Sequence, residues 1–337
     1  MQAIDPAAVA RIFEMPECAV PFISAFYTPA EQRFALDCSR GEFSEASVPS
    51  ARAMHARGVV DAVEGKPGVY RVGTFYTRLD VFAVSEYERW MSIPQPARRA
   101  MESWYLDAYV AWLDGSCDAI PTRDTVLTLD ETLAFIDADD RQMYVNVCDC
   151  RSLFGGCGKP VEVCLTYKDA PNTFRGRGLS RPVSKEEAKE IVRKADAAAL
   201  MHTANPNGIC NCCGDCCYLM RGMKTRGSWG VWPIQPHEVR FDSGECIGCS
   251  RCVRRCNMGV FERVPGVPGK GRGKFKVEAD TSMCVGCGLC VETCPTNALS
   301  LRRRALPVDV AAASVVPRDV EKTAECGGHL LEKERAL

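Results

Sequence analysis

The chain has 337 residues, 46% of them apolar, and its 42 Lys and Arg against 43 Asp and Glu leave a formal net charge of −1. That length allows two or three domains with sizeable cores, and the balanced charge gives no global pull towards nucleic acid or an anionic membrane. No apolar run reaches the ~20 residues of a membrane span, and the opening MQAIDPAAVARIF has Asp5 early and no long apolar core, so a soluble, cytoplasmic protein without a secretory signal is expected.

Residues 1–118 read as a helical, winged-helix-like domain. GVVDAV and GVYRVGTFY are β-rich arms around EGKPG, whose Pro and Gly punctuate a turn. Short helices followed by such a hairpin resemble a winged helix. The stretch EYERWMSIPQPARRAMESWYLDAYVAWL is aromatic and helical, with a break near Pro94 and Pro96. Arg52, His55 and Arg57 in PSARAMHAR offer a modest basic face. A DNA-binding domain is distinctly basic, and acidic residues are scattered through this one. Nucleic acid is therefore not expected; docking, or a homodimer through this region, is.

Residues 119–237 read as a small α/β cysteine-rich domain. LDETLAFIDADD looks helical, and QMYVNV looks like a buried strand ending at Cys148. SKEEAKEIVRKADAAA is a helix that Ser184 can cap, with Glu187 completing a capping box. ALMHTA is another strand; His202 on it reads as a satisfied core residue rather than a ligand. Residues 238–302 form a compact cysteine-rich module, and 303–337 a tail. The overall expectation is α+β.

Cysteine is the outlier, at 21 residues. In a long chain without a signal, tight clusters favour metal over disulfides. Cys246, Cys249, Cys252 and Cys256 follow C-x2-C-x2-C-x3-C, and Cys284, Cys287, Cys290 and Cys294 repeat it with Pro295 after the last. Three thiolates of each run wrap three corners of a cubane, and the fourth ligates the other cluster. One [4Fe–4S] cluster is thus assigned to Cys246, Cys249, Cys252 and Cys294, the other to Cys284, Cys287, Cys290 and Cys256. Two zinc sites are the bland alternative, but zinc motifs pair two CxxC-like knuckles rather than a triple and a distant fourth. Asn257 stands where proline often follows the first run, and supplies an extra N–H. Between the runs, GVPGKGRGKFK reads as a solvated hairpin loop rather than a basic docking loop made by Lys270, Arg272, Lys274 and Lys276.

A second cysteine set is less regular. ICNCCGDCC supplies Cys210, Cys212, Cys213, Cys216 and Cys217, and CDCRSLFGGCGKPVEVC supplies Cys148, Cys150, Cys157 and Cys164. Both stretches follow predicted strands and could meet at one edge of a sheet. The expectation is one or two additional [4Fe–4S] clusters, with zinc as the alternative occupant and disulfides third, since adjacent cysteines close only a strained ring. Asp215 reads as a turn residue. Arg151 follows a candidate ligand directly, where a guanidinium would raise a cluster's potential. Cys18, Cys38, Cys117 and Cys326 read as ordinary thiols.

These motifs together resemble a family of 4Fe–4S ferredoxin-type proteins of anaerobic and facultative bacteria. They have a winged-helix-like N-terminal region, a segment like CDCR…GCGKPVEVC, one like CNCCGDCC, and a two-cluster ferredoxin module. The resemblance spans about residues 60–302. In that family a further cysteine often stands at the place of Asp215, so this chain lacks one potential ligand. The resemblance implies redox work beside a partner oxidoreductase. CCG also echoes heterodisulfide-reductase subunits, without the long cysteine separations those need.

The expected function is relay of single electrons between a redox donor, such as a flavoprotein, and a partner oxidoreductase. No dinucleotide fingerprint, P-loop or Ser/His/Asp set is evident, and the four histidines are His55, His202, His237 and His329. The alternatives are a redox-sensing winged-helix regulator that binds DNA, and a reductase with an open iron at an extra cluster.

Overall fold

The computed structural model describes residues 4–38, 41–115, 120–265 and 275–306, with residues 267, 310 and 314. Cys117, Cys326, His329, Lys270, Arg272, Lys274 and nearly all of the expected tail lie outside the described residues.

Helices α1 (Pro6–Ile12), α2 (Ile23–Phe26) and α3 (Pro29–Asp37) precede strand β1 (Phe43–Ser44) and helix α4 (Ala51–Ala56). The hairpin β2 (Val60–Ala62) and β3 (Val69–Val72) follows, then α5 (Phe75–Ser85), α6 (Tyr87–Ser92) and α7 (Gln95–Gly115). The EGKPG turn joins β2 to β3 as expected, and β1 adds to it in the antiparallel order β1-β3-β2. A capping box starts α3: Thr28 Oγ1 accepts from the Glu31 amide at 3.3 Å, and Glu31 accepts from the Thr28 amide at 2.7 Å. The break between α6 and α7 falls at Ile93 and Pro94. Aromatic rings fill the core, with Phe13 stacked on Tyr27 at 3.9 Å and Phe26 edge-on to Phe75 at 4.8 Å. Buried Arg78 is satisfied, donating to Phe26 O at 2.8 and 3.0 Å, Arg57 O at 2.9 Å and Glu86 at 2.6 Å.

The central part runs β4 (Thr125–Leu127), α8 (Leu129–Ala138), β5 (Met143–Val147), α9 (Asp149–Phe154), β6 (Glu162–Thr166) and β7 (Ser180–Val183). It continues with α10 (Lys185–Ala197), β8 (Met201–Asn205), β9 (Gly208–Cys212) and α11 (Tyr218–Arg226). Six strands form one sheet in the order β4-β8-β9-β6-β5-β7. Every pairing in it is antiparallel, which departs from the α/β expectation for this region. The reason is local. β8 turns straight into β9 because Asn205 Oδ1 accepts from the Asn207 and Gly208 amides at 2.8 and 3.1 Å. Ser184 caps α10 by accepting from the Glu187 amide at 3.1 Å, but the expected box is only half formed. The Glu187 carboxylate turns to Arg181 instead, at 2.6 Å. α8 and α10 cover the sheet with Ile136, Ala188 and Val192 over Val145, Leu165 and Ile209.

The last part holds β10 (His237–Phe241), α12 (Arg251–Arg255), β11 (Phe261–Val264), β12 (Lys276–Ala279), α13 (Leu289–Glu292) and β13 (Leu299–Arg303). β10 pairs antiparallel with β13, and β11 with β12. Among the described residues no helix is long and apolar enough to cross a membrane.

The three parts share their cores. Leu153 and Tyr218 sit in the N-terminal core, and Trp90 Nε1 donates to Ser152 O at 3.1 Å. A second core joins Leu113, Cys212, Cys217, Met220 and Met223 to Cys252, Met258, Cys284 and Cys290. Buried Arg177, on the loop before β7, binds Asp61 at 2.5 Å, His55 O at 2.5 Å and Val60 O at 3.2 Å. Beside it Asn172 pairs with both backbone groups of Ala62 at 2.9 Å, extending the β2 edge. Removing this guanidinium leaves Asp61 and two carbonyls without their partner. Arg177→Met is therefore expected to cost about 3–5 kcal/mol, read as a lowered urea midpoint against the parent chain; an unchanged midpoint contradicts this role for the seam.

Candidate metal centres

The ferredoxin cysteines fall into two groups. Cys246, Cys249, Cys252 and Cys294 line one small cavity with Phe241, Val277 and Leu299. Cys256, from the first run, lies among the second group and acts electrostatically on Cys284, Cys287 and Cys290. Loop glycines aim amides at the sulfurs: Gly248 N donates to Cys246 Sγ at 3.4 Å, and Gly286 N to Cys284 Sγ at 3.3 Å. Val239 N, on β10, adds a donor to Cys284 Sγ at 3.4 Å. Gly286 has φ +77°, and its bare Cα lies against the His237 carbonyl, so this turn has no room for a side chain. Burial pushes Cys252 up to about 11 and Cys287 up to about 12. A bound cation reverses that by stabilising the thiolates, and amide donors to sulfur tune the potential of a cluster held there.

The second set also converges, because β6 and β9 are neighbours and Cys148 follows β5 beside them. Six thiols form a closed ring. Cys148 contacts Cys150 and Cys164, Cys217 contacts Cys150 and Cys212, and Cys210 contacts Cys164 and Cys212. The Cys212 and Cys217 sulfurs lie 3.2 Å apart. Thiol protonation alternates around the ring. Hydrogen bonds from neighbouring thiols hold Cys148, Cys210 and Cys217 low, and the same bonds push Cys150, Cys164 and Cys212 up. The other three thiols, Cys157, Cys213 and Cys216, make a separate group whose sulfurs all lie within 4.8 Å of one another. All described cysteines are free thiols. Cys18 packs against the N-terminal core and Cys38 follows the end of α3, both outside these groups. His202 is buried on β8, with Nδ1 2.6 Å from Asn211 Oδ1.

Arg151 stands between the two groups. It is 3% exposed, and the Cys148, Cys213, Cys164 and Cys157 thiols act on its charge. Its guanidinium donates to Pro160 O and, at 2.6 Å, to Asn211 O. Its Nε–H is buried without a partner. An orphaned donor beside the Cys148, Cys157, Cys164 and Cys213 thiols fits a site built for thiolates or inorganic sulfide, which would accept from it. Asp215 is exposed at the turn, as expected for a turn residue rather than a ligand.

Sequence reasoning missed how the ferredoxin module meets this site. Gly214 lies directly against the Asn257 carbonyl, leaving no space for a Cβ. The Asn257 side-chain amide donates to Ala199 O, which gives a reason for asparagine rather than proline after Cys256. Arg255 binds Asp196 at 2.5 Å and Leu289 O at 3.2 Å. A second missed feature is a cavity of about 290 Å³ between α5 and the sheet, lined by Thr77, Asp80, Asn146, Asn172, Cys164 and Cys210. Asp80 Oδ1 and Asn146 Oδ1 are buried there without partners. Burial first, then the Cys148 thiol, raise Asp80 to about 7 against the opposing pull of Arg177. A lone Asp in a helical stretch carries no sequence signal for such a role.

Gly214→Ala is expected to push the CNCCGDCC turn off Asn257 and lower the metal bound by the nine central cysteines. Iron and zinc per chain, measured on protein purified without oxygen, check this; parent-level metal content would show that the contact does not shape the site.

Residues 245–298 match the model of a family described as a 4Fe–4S dicluster domain. No curated protein matches the chain. The family match supports a ferredoxin-type iron–sulfur module in the last third of the chain and, in general terms, iron–sulfur electron transfer.

Proposed function

We propose that the protein relays single electrons between a redox donor, such as a flavoprotein, and a partner oxidoreductase. The observation that carries this reading is the exchanged ligand set, with Cys294 beside Cys246, Cys249 and Cys252 in one cavity and Cys256 beside the second run. When bound, two [4Fe–4S] clusters supply one-electron steps at low potential. The chain's own residues hold and shield them. Cys246, Cys249, Cys252 and Cys294 would hold one and Cys284, Cys287, Cys290 and Cys256 the other, while Val285, Leu289 and Leu299 exclude water and backbone amides donate to the Cys246 and Cys284 sulfurs.

The six ring cysteines extend the path in this reading, since Cys212 and Cys217 share one core with Cys252, Cys284 and Cys290. Asn257, next to the ligand Cys256, touches Gly214 between Cys213 and Cys216, so the two regions meet within van der Waals contact. The six ring thiols supply more than the four ligands that a further metal centre needs. The N-terminal region serves as a docking or dimerisation surface. Its basic face is neutralised: Arg52 pairs with Glu45 at 3.3 Å, Arg57 pairs with Glu31 and Glu86, and His55 is buried. That favours protein docking over a winged-helix regulator on DNA, and no binding to random duplex DNA at low salt is expected.

A second reading is a reductase, favoured by the cavity that opens onto Cys164 and Cys210 with unpartnered Asp80 and Asn146 oxygens. A change in one cluster's EPR signal on adding cyanide supports an open iron; an unchanged spectrum removes this reading.

Cys249→Ser tests the relay. The variant is expected to lose up to about four irons per chain, one cubane, and to stop passing electrons from a reduced flavodoxin-type donor to cytochrome c. Its N-terminal region should stay folded by near-ultraviolet circular dichroism. Undiminished electron transfer in that variant would overturn the assignment.

A further inference from the structure

The two cysteine systems differ in sulfur spacing. Thiolates that share one zinc ion at 2.3 Å stand ~3.8 Å apart in a tetrahedral site. Thiolates on a cubane bind different irons at different corners, so they stand further apart. Cys157, Cys213 and Cys216 bring their sulfurs within 4.8 Å of one another, and among the described residues no three ferredoxin cysteines do so. The trio is therefore spaced for one ion, and the ferredoxin sets for a polynuclear centre.

We propose that Cys157, Cys213 and Cys216 form a mononuclear three-thiolate site for zinc, distinct from the six-thiol ring, with its fourth position open to a small ligand from solution. Three further observations support it. Cys213 and Cys216 are both fully buried, and the Cys216 amide donates to Cys213 Sγ at 3.4 Å, so the CxxC turn pre-forms half of the site. Cys157 is partly exposed on a loop with Gly156 and Gly158, both exposed and both at positive φ, so the third ligand arrives from the solvent side. Arg151, with its orphaned buried Nε–H, acts on Cys213 and Cys157. Zinc with three thiolates carries a net charge of about −1, which one guanidinium offsets.

Among the described residues, no fourth His, Cys, Asp or Glu joins this group. Three protein ligands and a vacant position are the arrangement of zinc sites that bind an exchangeable ligand rather than of closed structural ones. The ligand class that suits a thiolate-rich zinc is a small thiol, which the metal would hold as thiolate.

The test uses the full chain purified without oxygen, with iron and zinc measured per chain, beside a Cys157→Ser variant. The parent is expected to hold about one zinc; Cys157→Ser is expected to lose it and keep its iron and its ferredoxin EPR signal. Iron loss in that variant, or zinc unchanged, overturns the proposal. Cobalt exchanged into the parent gives a second reading that does not depend on the variant folding. A sulfur-to-cobalt charge-transfer band with tetrahedral d–d bands is expected, and it should shift when 2-mercaptoethanol is added. Octahedral bands overturn the site, and an unshifted spectrum overturns the open position. Cys249→Ser should leave the zinc in place, so a failure of the relay and a failure of this site are read separately.

Discussion

The close approach of Gly214 to the Asn257 carbonyl is the constraint on which the rest of the arrangement depends. It lets two cysteine-bearing turns from different parts of the chain touch through backbone rather than side chain. Around it, Arg255 reaches Asp196 and Leu289 O, and Asn257 reaches Ala199 O. Apolar residues close the seam: Met220, Met223 and Met258 share one core with Cys212, Cys252 and Cys284. Methionine suits this position because its flexible, polarisable side chain fills irregular space next to sulfur. The consequence is one continuous buried core between the ferredoxin module and the turn that carries Cys212 and Cys217.

Charge sets the second constraint. Buried thiols resist ionisation, and metal binding needs thiolates. The ring meets this by alternation, each low thiol flanked by two raised ones that donate to it. Arg151 is the cation placed among them, and its own acidity falls as burial is outweighed by the Cys148 and Cys213 thiols. The ferredoxin cysteines lack that mutual contact. Burial raises Cys252, Cys287 and Cys290, and amide donors to Cys246 and Cys284 stand ready at the sulfurs.

The N-terminal part is held to this cysteine-rich body by polar contacts and by a shared aromatic core. Arg177 and Asn172 fix the loop before β7 to the β2 edge, while Trp90 and Tyr218 carry the aromatic core across to α9 and α11. The cavity beneath α5 is a product of that union. One wall comes from Thr77 and Asp80, the other from Asn146, Cys164 and Cys210, so neither part forms it alone.

Much was legible in the chain. The two C-x2-C-x2-C-x3-C runs were readable as a ferredoxin-type module, which the match of residues 245–298 to a 4Fe–4S dicluster domain supports, because a cubane's corners impose that local spacing. The caps and strands around α10, β5 and β8 were also readable, since hydrogen bonds three residues apart and alternating side chains are local signals. The Glu187 side chain was not, because Arg181 on a neighbouring strand outcompeted the local box. Nor could the sequence divide the nine central cysteines. Cys148 and Cys210 are far apart in the chain and meet through Cys164 only because β6 pairs with both β5 and β9. Ligand sets assembled across strands depend on register, and register belongs to the tertiary structure.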